Sequence, residues 1–318
     1  MADQIIILCV IIMDTLPTDV SKLIHDLLNF PSQVNLRLVS THFAKSYPIT
    51  NLYDYIPNFT DDILQLYPFA KKLFIKCYTI ITNINHLKHL QVLSIYDPCH
   101  KKNLGISSIT NLRKLHINQC ENISNDDLKF LINLTELSIG PRITMINHLT
   151  NLQVLNASST EICNAELSDL TNLVSLNINS VGSVTDVNHL TKLKELFAGN
   201  TCGVDDHGIS QLNRLRKLYI PHNEKISQIG HMTNLTMLNA NYKISDSDML
   251  NLANLTELDI IGNYQITNVN HLVNLQILRV GTGCGIDDDG ISKLTNLTEL
   301  YSCNNPKITR IISKYVYL

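Results

Sequence analysis

The chain of 318 residues carries 25 basic and 28 acidic residues, a formal charge of −3, and 44% hydrophobic residues, enough apolar surface to bury a large core. With 17% charged residues, 6% aromatics, no Trp and no run of Lys or Arg, it lacks the phosphate-neutralising, base-stacking surface of a nucleic-acid platform, so nucleic acid is not an expected partner. Eight cysteines without a Cys-x-x-Cys pair are too dilute for a disulfide scaffold and too irregular for zinc, which points to reduced thiols in a cytoplasmic or nuclear compartment.

The chain opens on an apolar extension over 1–13. Its run Ile5 to Ile12 is too short to cross a bilayer and has neither a basic flank nor an Ala-x-Ala site, so no membrane partner is expected. Met13, followed by Asp14-Thr15-Leu16-Pro17, reads as a second start. Residues 14–50 predict three short helical pieces. The first is a turn begun at Pro17; the second runs through Ile24 and Leu27 and ends before Pro31; the third spans Leu36, Leu38 and Val39 to Phe43. A linker over 51–59, with Pro57, leads into a repetitive region over 60–318.

That region repeats the unit Leu-x-x-Leu-x-Ile, as in Leu112-Leu115-Ile117, Leu215-Leu218-Ile220 and Leu255-Leu258-Ile260. Twelve copies start between residues 70 and 297, one every 20.6 residues on average. A period of that size predicts an α/β solenoid: one short strand per unit in a parallel concave sheet, with helices or turns on the convex side, stable only as a stack. Two return segments alternate. The short one reads Ile-Thr-x-Ile-Asn-His-Leu, as at 143–149 and 266–272, and predicts a turn or a piece of 3₁₀ helix. The longer one reads Asp-Asp-x-Gly-Ile-Ser-x-Leu at 205–212 and 287–294, with relatives at 124–131 and 245–252. There an Asp or Ser before an apolar run predicts a short capped helix. A last return at Ile308 precedes what would be a thirteenth strand at Tyr315.

These residues resemble leucine-rich repeats of two kinds, the internalin type and the cysteine-containing type of F-box receptors. Cys120 occupies the cysteine slot of the second kind, and Asn223, Asn263 and Asn305 fill it elsewhere, where a buried amide can bond neighbouring backbone in a ladder. Residues 14–50 resemble an F-box: Leu16, Pro17, Asp19, Ile24, Leu27, Arg37, Leu38, Val39, Ser40 and Phe43 fill its slots, with Phe43 where many members have Trp, and Leu36 joins the apolar residues among them as adaptor-binding. The resemblance implies a non-catalytic substrate receptor in which these residues dock a Skp-type adaptor of a cullin ubiquitin ligase and the solenoid selects a protein substrate. The alternative is a leucine-rich-repeat scaffold or host-interaction protein whose helical start only caps the stack. The Ile- and Asn-rich composition also resembles proteins of giant DNA viruses, which would place the ligase in a host.

Other constellations yield to the repeat. His86, His148, His189, His231 and His271 share one slot but lie at least two repeats apart. At about 4.8 Å per strand that separates them by about 10 Å, too far for one metal with ligands at about 2.0 Å. Asp205-Asp206 and Asp287-Asp288-Asp289 read as helix caps rather than calcium ligands or an acid/base pair. The sequons at Asn133, Asn234, Asn254 and Asn296 are by-products of a recurrent Asn-Leu-Thr. No cofactor, metal or catalytic set is expected. Function is therefore assigned to the concave surface, where alternation exposes Phe197 and Tyr219 as aromatic anchors, Met237 beside them, and Asp259, Arg279 and Tyr301 further along.

Overall fold

Within each Leu-x-x-Leu-x-Ile unit the second Leu is flanked by two residues that cannot both enter the core with it, and the segment becomes a short strand with that Leu pointing inward. The computed structural model describes residues 51–52, 60–65, 67–76, 81–96, 104–240, 242–309 and 315–317. The extension expected over 1–13 and the helical unit expected over 14–50 lie outside them. The strands form one parallel sheet of fourteen in chain order. They are β1 (Asn51–Leu52), β2 (Lys72–Lys76), β3 (Val92–Tyr96), β4 (Lys114–His116), β5 (Glu136–Ser138), β6 (Val154–Asn156), β7 (Ser175–Asn177), β8 (Glu195–Phe197), β9 (Lys217–Tyr219), β10 (Met237–Asn239), β11 (Glu257–Asp259), β12 (Ile277–Arg279), β13 (Glu299–Tyr301) and β14 (Tyr315–Tyr317). The sheet thus begins inside the segment expected as a linker, with Leu52 opposite Leu73, and the strand expected at Tyr315 is formed against β13.

The register stacks the leucines: Leu196 faces Leu218, Leu218 faces Leu238, Leu238 faces Leu258, and Leu258 faces Leu278, all fully buried. Truncating one such Leu to Ala costs about 2–5 kcal/mol. After the strands the chain turns through a left-handed residue, Ser159, Ser180, Asn200, His222, Gly262 or Asn304, with φ between 58° and 79°.

Long returns carry the convex helices α1 (Asp61–Gln65), α2 (Asn125–Leu128), α3 (Asn164–Leu167) and α4 (Asp246–Met249). Capping boxes start α2 and α4, where the N–H of Ser124 and of Ser245 donates to Asp127 and Asp248, each at 3.0 Å. The two returns that best fit the Asp-Asp-x-Gly pattern make only 3₁₀ turns, at His207–Ile209 and Asp289–Ile291. Their glycines explain the difference. Gly208 and Gly290 lie so close to the preceding repeat that a Cβ would sit 2.0 and 2.2 Å from the carbonyls of Thr185 and Thr267. Their own carbonyls accept sideways from Val187 and Val269, each at 3.0 Å, rather than from a following helical turn.

Polar side chains stitch each repeat to the next. Asp206 accepts from the Ser227 N–H and hydroxyl and from the Gln228 N–H, each at 2.8 Å. Asp246 accepts in the same way from Thr267 and Asn268, and Asn125 and Asn164 do so from Thr144 and Thr185. The first Asp of each cluster caps its own turn, Asp205 accepting from Gly208 at 3.0 Å and Asp287 from Gly290 at 2.9 Å, whereas Asp206 and Asp288 reach into the next repeat. The reading of both as helix caps is corrected to that extent. A second row of asparagines donates to carbonyls one repeat back, among them the sequon residues Asn133, Asn234, Asn254 and Asn296, at 2.8–3.0 Å. Among the described residues no helix is long and apolar enough to cross a membrane.

Candidate protein-binding face

Two rows of side chains per strand point away from the core, from its first and third residues, and both are half-buried along the second half of the sheet. On β8 to β13 the third-residue row reads Phe197, Tyr219, Asn239, Asp259, Arg279 and Tyr301, in the order and register expected. Phe197 and Tyr219 are directly opposite on neighbouring strands, and their rings stack at 4.2 Å with 6° between planes. The Tyr219 hydroxyl donates to the Met237 sulfur on the next strand. Burial is the main cause that raises the Tyr219 pKa. Strands about 4.8 Å apart bring flat rings into contact, so the two aromatics and the thioether form one continuous apolar strip.

Charged residues flank the strip and close on themselves. Lys217 pairs with Glu195 at 2.8 Å, and hydrogen bonding to that glutamate raises its pKa. Arg279 pairs with Glu257 and lies over the Tyr301 ring, 5.1 Å from its centroid. The Tyr301 hydroxyl in turn donates to Glu299 at 2.8 Å. Asp259 accepts from the Asn239 amide at 3.0 Å and from the Ile261 N–H at 3.2 Å, and burial raises its pKa above the ordinary carboxylate value. Earlier in the sheet the same face is quieter, with Ser138, Asn156 and Asn177 in the corresponding row. There His116 lies 3.5 Å from Glu136, its pKa lowered chiefly by burial against the opposing pull of that glutamate.

Beside the strip lies a feature the repeat pattern did not disclose. The turns after β9, β10 and β11 bound a cleft of about 250 Å³ lined by Pro221, His222, Asn239, Ala240, Tyr242, Asp259, Ile261 and Gly262. Tyr242 stacks on Tyr264, with centroids 6.3 Å apart, and Ile261 is 56% exposed. The only sequence signal was an apolar or aromatic residue just past the strand, where other repeats carry Ser, Gly or Asn.

Four of the five aligned histidines bond to the backbone of the preceding repeat. Nε2 of His86, His148, His189 and His271 lies 2.9–3.3 Å from the carbonyls of Leu64, Leu128, Leu167 and Met249. A carbonyl can only accept, so in each of these Nε2 carries the proton and donates. Among the described residues no group of three or more His, Cys, Asp or Glu could hold a metal ion. The buried asparagine slot works as a ladder: Asn223 donates to the Ala198 carbonyl at 2.8 Å, and Cys120 in the same slot donates to the equivalent Ile95 carbonyl at 3.6 Å. The adaptor-docking residues Leu16, Pro17, Ile24, Leu27, Leu36, Leu38, Val39 and Phe43 lie outside the described residues.

No protein-family model matches the sequence, and no curated protein matches it. Solved structures do. An internalin (inlF) from Listeria monocytogenes is 21% identical with a TM-score of 0.57, over 77% of this chain and 86% of that one. A leucine-rich-repeat protein from Leptospira interrogans is 18% identical with a TM-score of 0.51, over 85% and 93%. The functional domain of InlJ from Listeria monocytogenes, which includes a cysteine ladder, is 20% identical with a TM-score of 0.52, over 80% and 64%. The likeness is one of fold: this chain is a parallel-sheet solenoid of the leucine-rich-repeat type.

Proposed function

We propose that the protein is a non-catalytic binding module that captures a protein partner on the concave face of β8 to β13. The observation that carries this reading is the strip of Phe197, Tyr219 and Met237, an apolar centre bordered by ion pairs that already satisfy one another. Such an arrangement has the anatomy of an interface, with aromatic anchors in the middle and polar groups at the rim. Because the flanking charges are paired within the face, a partner that covers them leaves few charges unmatched.

The F-box resemblance of residues 14–50 extends the proposal. Leu16, Pro17, Ile24, Leu27, Leu36, Leu38, Val39 and Phe43 would hold a Skp-type adaptor, and the solenoid would present the captured protein to a cullin ubiquitin ligase in the cytoplasm, that of a host if the source is a giant virus. What supports this is the sequence motif and its position immediately before a sheet that starts at Asn51. The competing reading is a scaffold with no ubiquitin role.

Two measurements on the full chain test the proposal. Proximity labelling with wild type and with Phe197→Ala/Tyr219→Ala should return a partner set that the double variant loses, since truncating an anchor commonly costs about 2 kcal/mol or more, roughly thirtyfold in affinity. A double variant that keeps every partner places recognition elsewhere. Pull-down with a Skp-type adaptor, lost in Leu16→Asp/Leu38→Asp while labelling at the concave face persists, supports the receptor role; no adaptor retained by the wild type leaves the scaffold reading.

A further inference from the structure

Four positions of the third-residue row carry Asx: Asn156, Asn177, Asn239 and Asp259. Three of them perform the same backbone task. The Oδ1 of Asn156 accepts from the Ser158 N–H at 3.2 Å, that of Asn177 from Asn179 at 3.0 Å, and that of Asp259 from Ile261 at 3.2 Å. A neutral amide therefore satisfies this turn, and the second carboxylate oxygen is used within the fold by one side-chain donor, the Asn239 amide at 3.0 Å. The charge there is also costly, because burial disfavours the ionised form and the nearest cation, Arg279, pairs with Glu257.

Asp259 forms part of the wall of the 250 Å³ cleft, together with Tyr242, Pro221 and Ile261. Its carboxylate accepts two hydrogen bonds, from Asn239 and Ile261, out of about four that a carboxylate can take. The surrounding face is net acidic. On β8 to β13 the outward rows hold Glu195, Glu257, Asp259 and Glu299 against Lys217 and Arg279, and both cations are already paired with a glutamate. The cleft is bounded by three successive turns and offers about 250 Å³, a recess on the scale of one long side chain.

We propose that this cleft is a subsite for one lysine or arginine side chain of the protein partner, with Asp259 binding the cationic head and Tyr242, Pro221 and Ile261 packing its aliphatic stem. This rests on the concave face being a protein-binding surface and adds the chemistry of the partner: a segment with a basic residue beside an apolar stretch. The apolar stretch lies on Phe197 and Tyr219, while the basic residue enters the cleft two strands on. A long cationic side chain suits such a site because its stem is apolar and its head is not. Arginine gains further from a bidentate contact with the carboxylate.

The test uses the full chain labelled at Ile and Met methyl groups, titrated by NMR with N-acetyl-arginine methylamide, its lysine and norleucine analogues, and N-acetyl-glutamate methylamide. The cationic probes should shift the Ile261 methyl saturably at millimolar concentration, and the norleucine and glutamate probes should not. Asp259→Asn, which keeps the turn as Asn156 and Asn177 do, should weaken the arginine probe at least tenfold while the melting temperature at pH 7 does not fall. An equal response to norleucine, no response to either cation, or unchanged binding by Asp259→Asn overturns the proposal. The probe reads the cleft without any partner, so the two readings separate. If arginine binds as expected but Phe197→Ala/Tyr219→Ala keeps every partner, the subsite stands and the binding-face reading falls; if partners are lost but arginine gives no shift, only the subsite falls.

Discussion

Replacing Asn263 with alanine removes at least three hydrogen bonds at once from the middle of the stack. The side chain is fully buried; its amide donates to the Ile244 carbonyl at 2.8 Å, and its oxygen accepts from the N–H groups of Gln265 and Ile266 at 2.8 and 2.9 Å. Leaving a buried polar group without its partner costs about 1–3 kcal/mol, and three such groups give about 3–9 kcal/mol, toward the lower end because water reaches the Gln265 amide more readily than the other two. Asn254→Ala, which deletes one exposed bond to the Thr233 carbonyl, should cost only about 0.5–1.5 kcal/mol. Asn263→Cys keeps a donor, as Cys120 does toward Ile95, and should fall between the two alanine variants. Urea unfolding of the full chain ranks the three, and hydrogen exchange should show the loss of protection centred on β10 to β12 because each repeat contacts only its neighbours. If Asn263→Ala unfolds within about 1 kcal/mol of wild type, the buried amide ladder is not what holds these turns together.

Asp206→Ala should destabilise by about 1.5–3 kcal/mol through loss of charge-assisted bonds to Ser227 and Gln228, whereas Asp206→Asn should be nearly neutral because Asn125 and Asn164 make the same clamp; equal losses in urea unfolding would contradict this. Burial raises the Asp259 pKa in the fold, so the native state holds that proton where the unfolded chain has released it, and the associated stability is present at low pH and lost as pH rises from the unfolded into the folded pKa. Asp259→Asn should therefore raise the melting temperature at pH 7, with the gain vanishing below the ordinary carboxylate range, and a lower melting temperature at pH 7 would show that the charge supports the fold. Among the described cysteines, exposed Cys303 should react first with iodoacetamide, while Cys120, Cys202 and Cys284 should wait for unfolding, since they are buried and burial raises the last two thiols further; mass spectrometry of the labelled peptides reads the order.

The spacing of Leu215, Leu218 and Ile220 carries the strand, its inward face and its register in plain view, because all three follow from alternation and period. Composition could not separate Asp205 from Asp206. The first caps its own turn and the second reaches into the next repeat, a distinction set by which backbone amides the stack brings near. Gly208 was read as part of a helix, and only the packed neighbour shows that it is there for the approach to Thr185. Phe197 and Tyr219 were legible as outward residues, but their stacking depends on a lateral register that a one-dimensional pattern does not contain. The cleft around Asp259 is assembled by three successive turns with no common motif, which is why the repeat consensus hid it.

The clamp that joins a long return to the following short one has a bearing on how such a chain can lengthen. Asp206, Asp246 and Asp288 recur 40 and 42 residues apart, twice the strand-to-strand step, and each is matched to a Ser or Thr in the next return: Ser227, Thr267 and Thr309. A duplication of one strand unit would set two returns of the same kind side by side and strand either an Asp without amides or amides without an Asp. A duplication of two units keeps every clamp. The heritable module of this solenoid is therefore a couplet of about 41 residues. Internal gene duplications and deletions should be tolerated in steps of two strands, with single-strand steps confined to places such as the stretch between Asp61 and Asn125, where the spacing of the clamps already departs from the couplet.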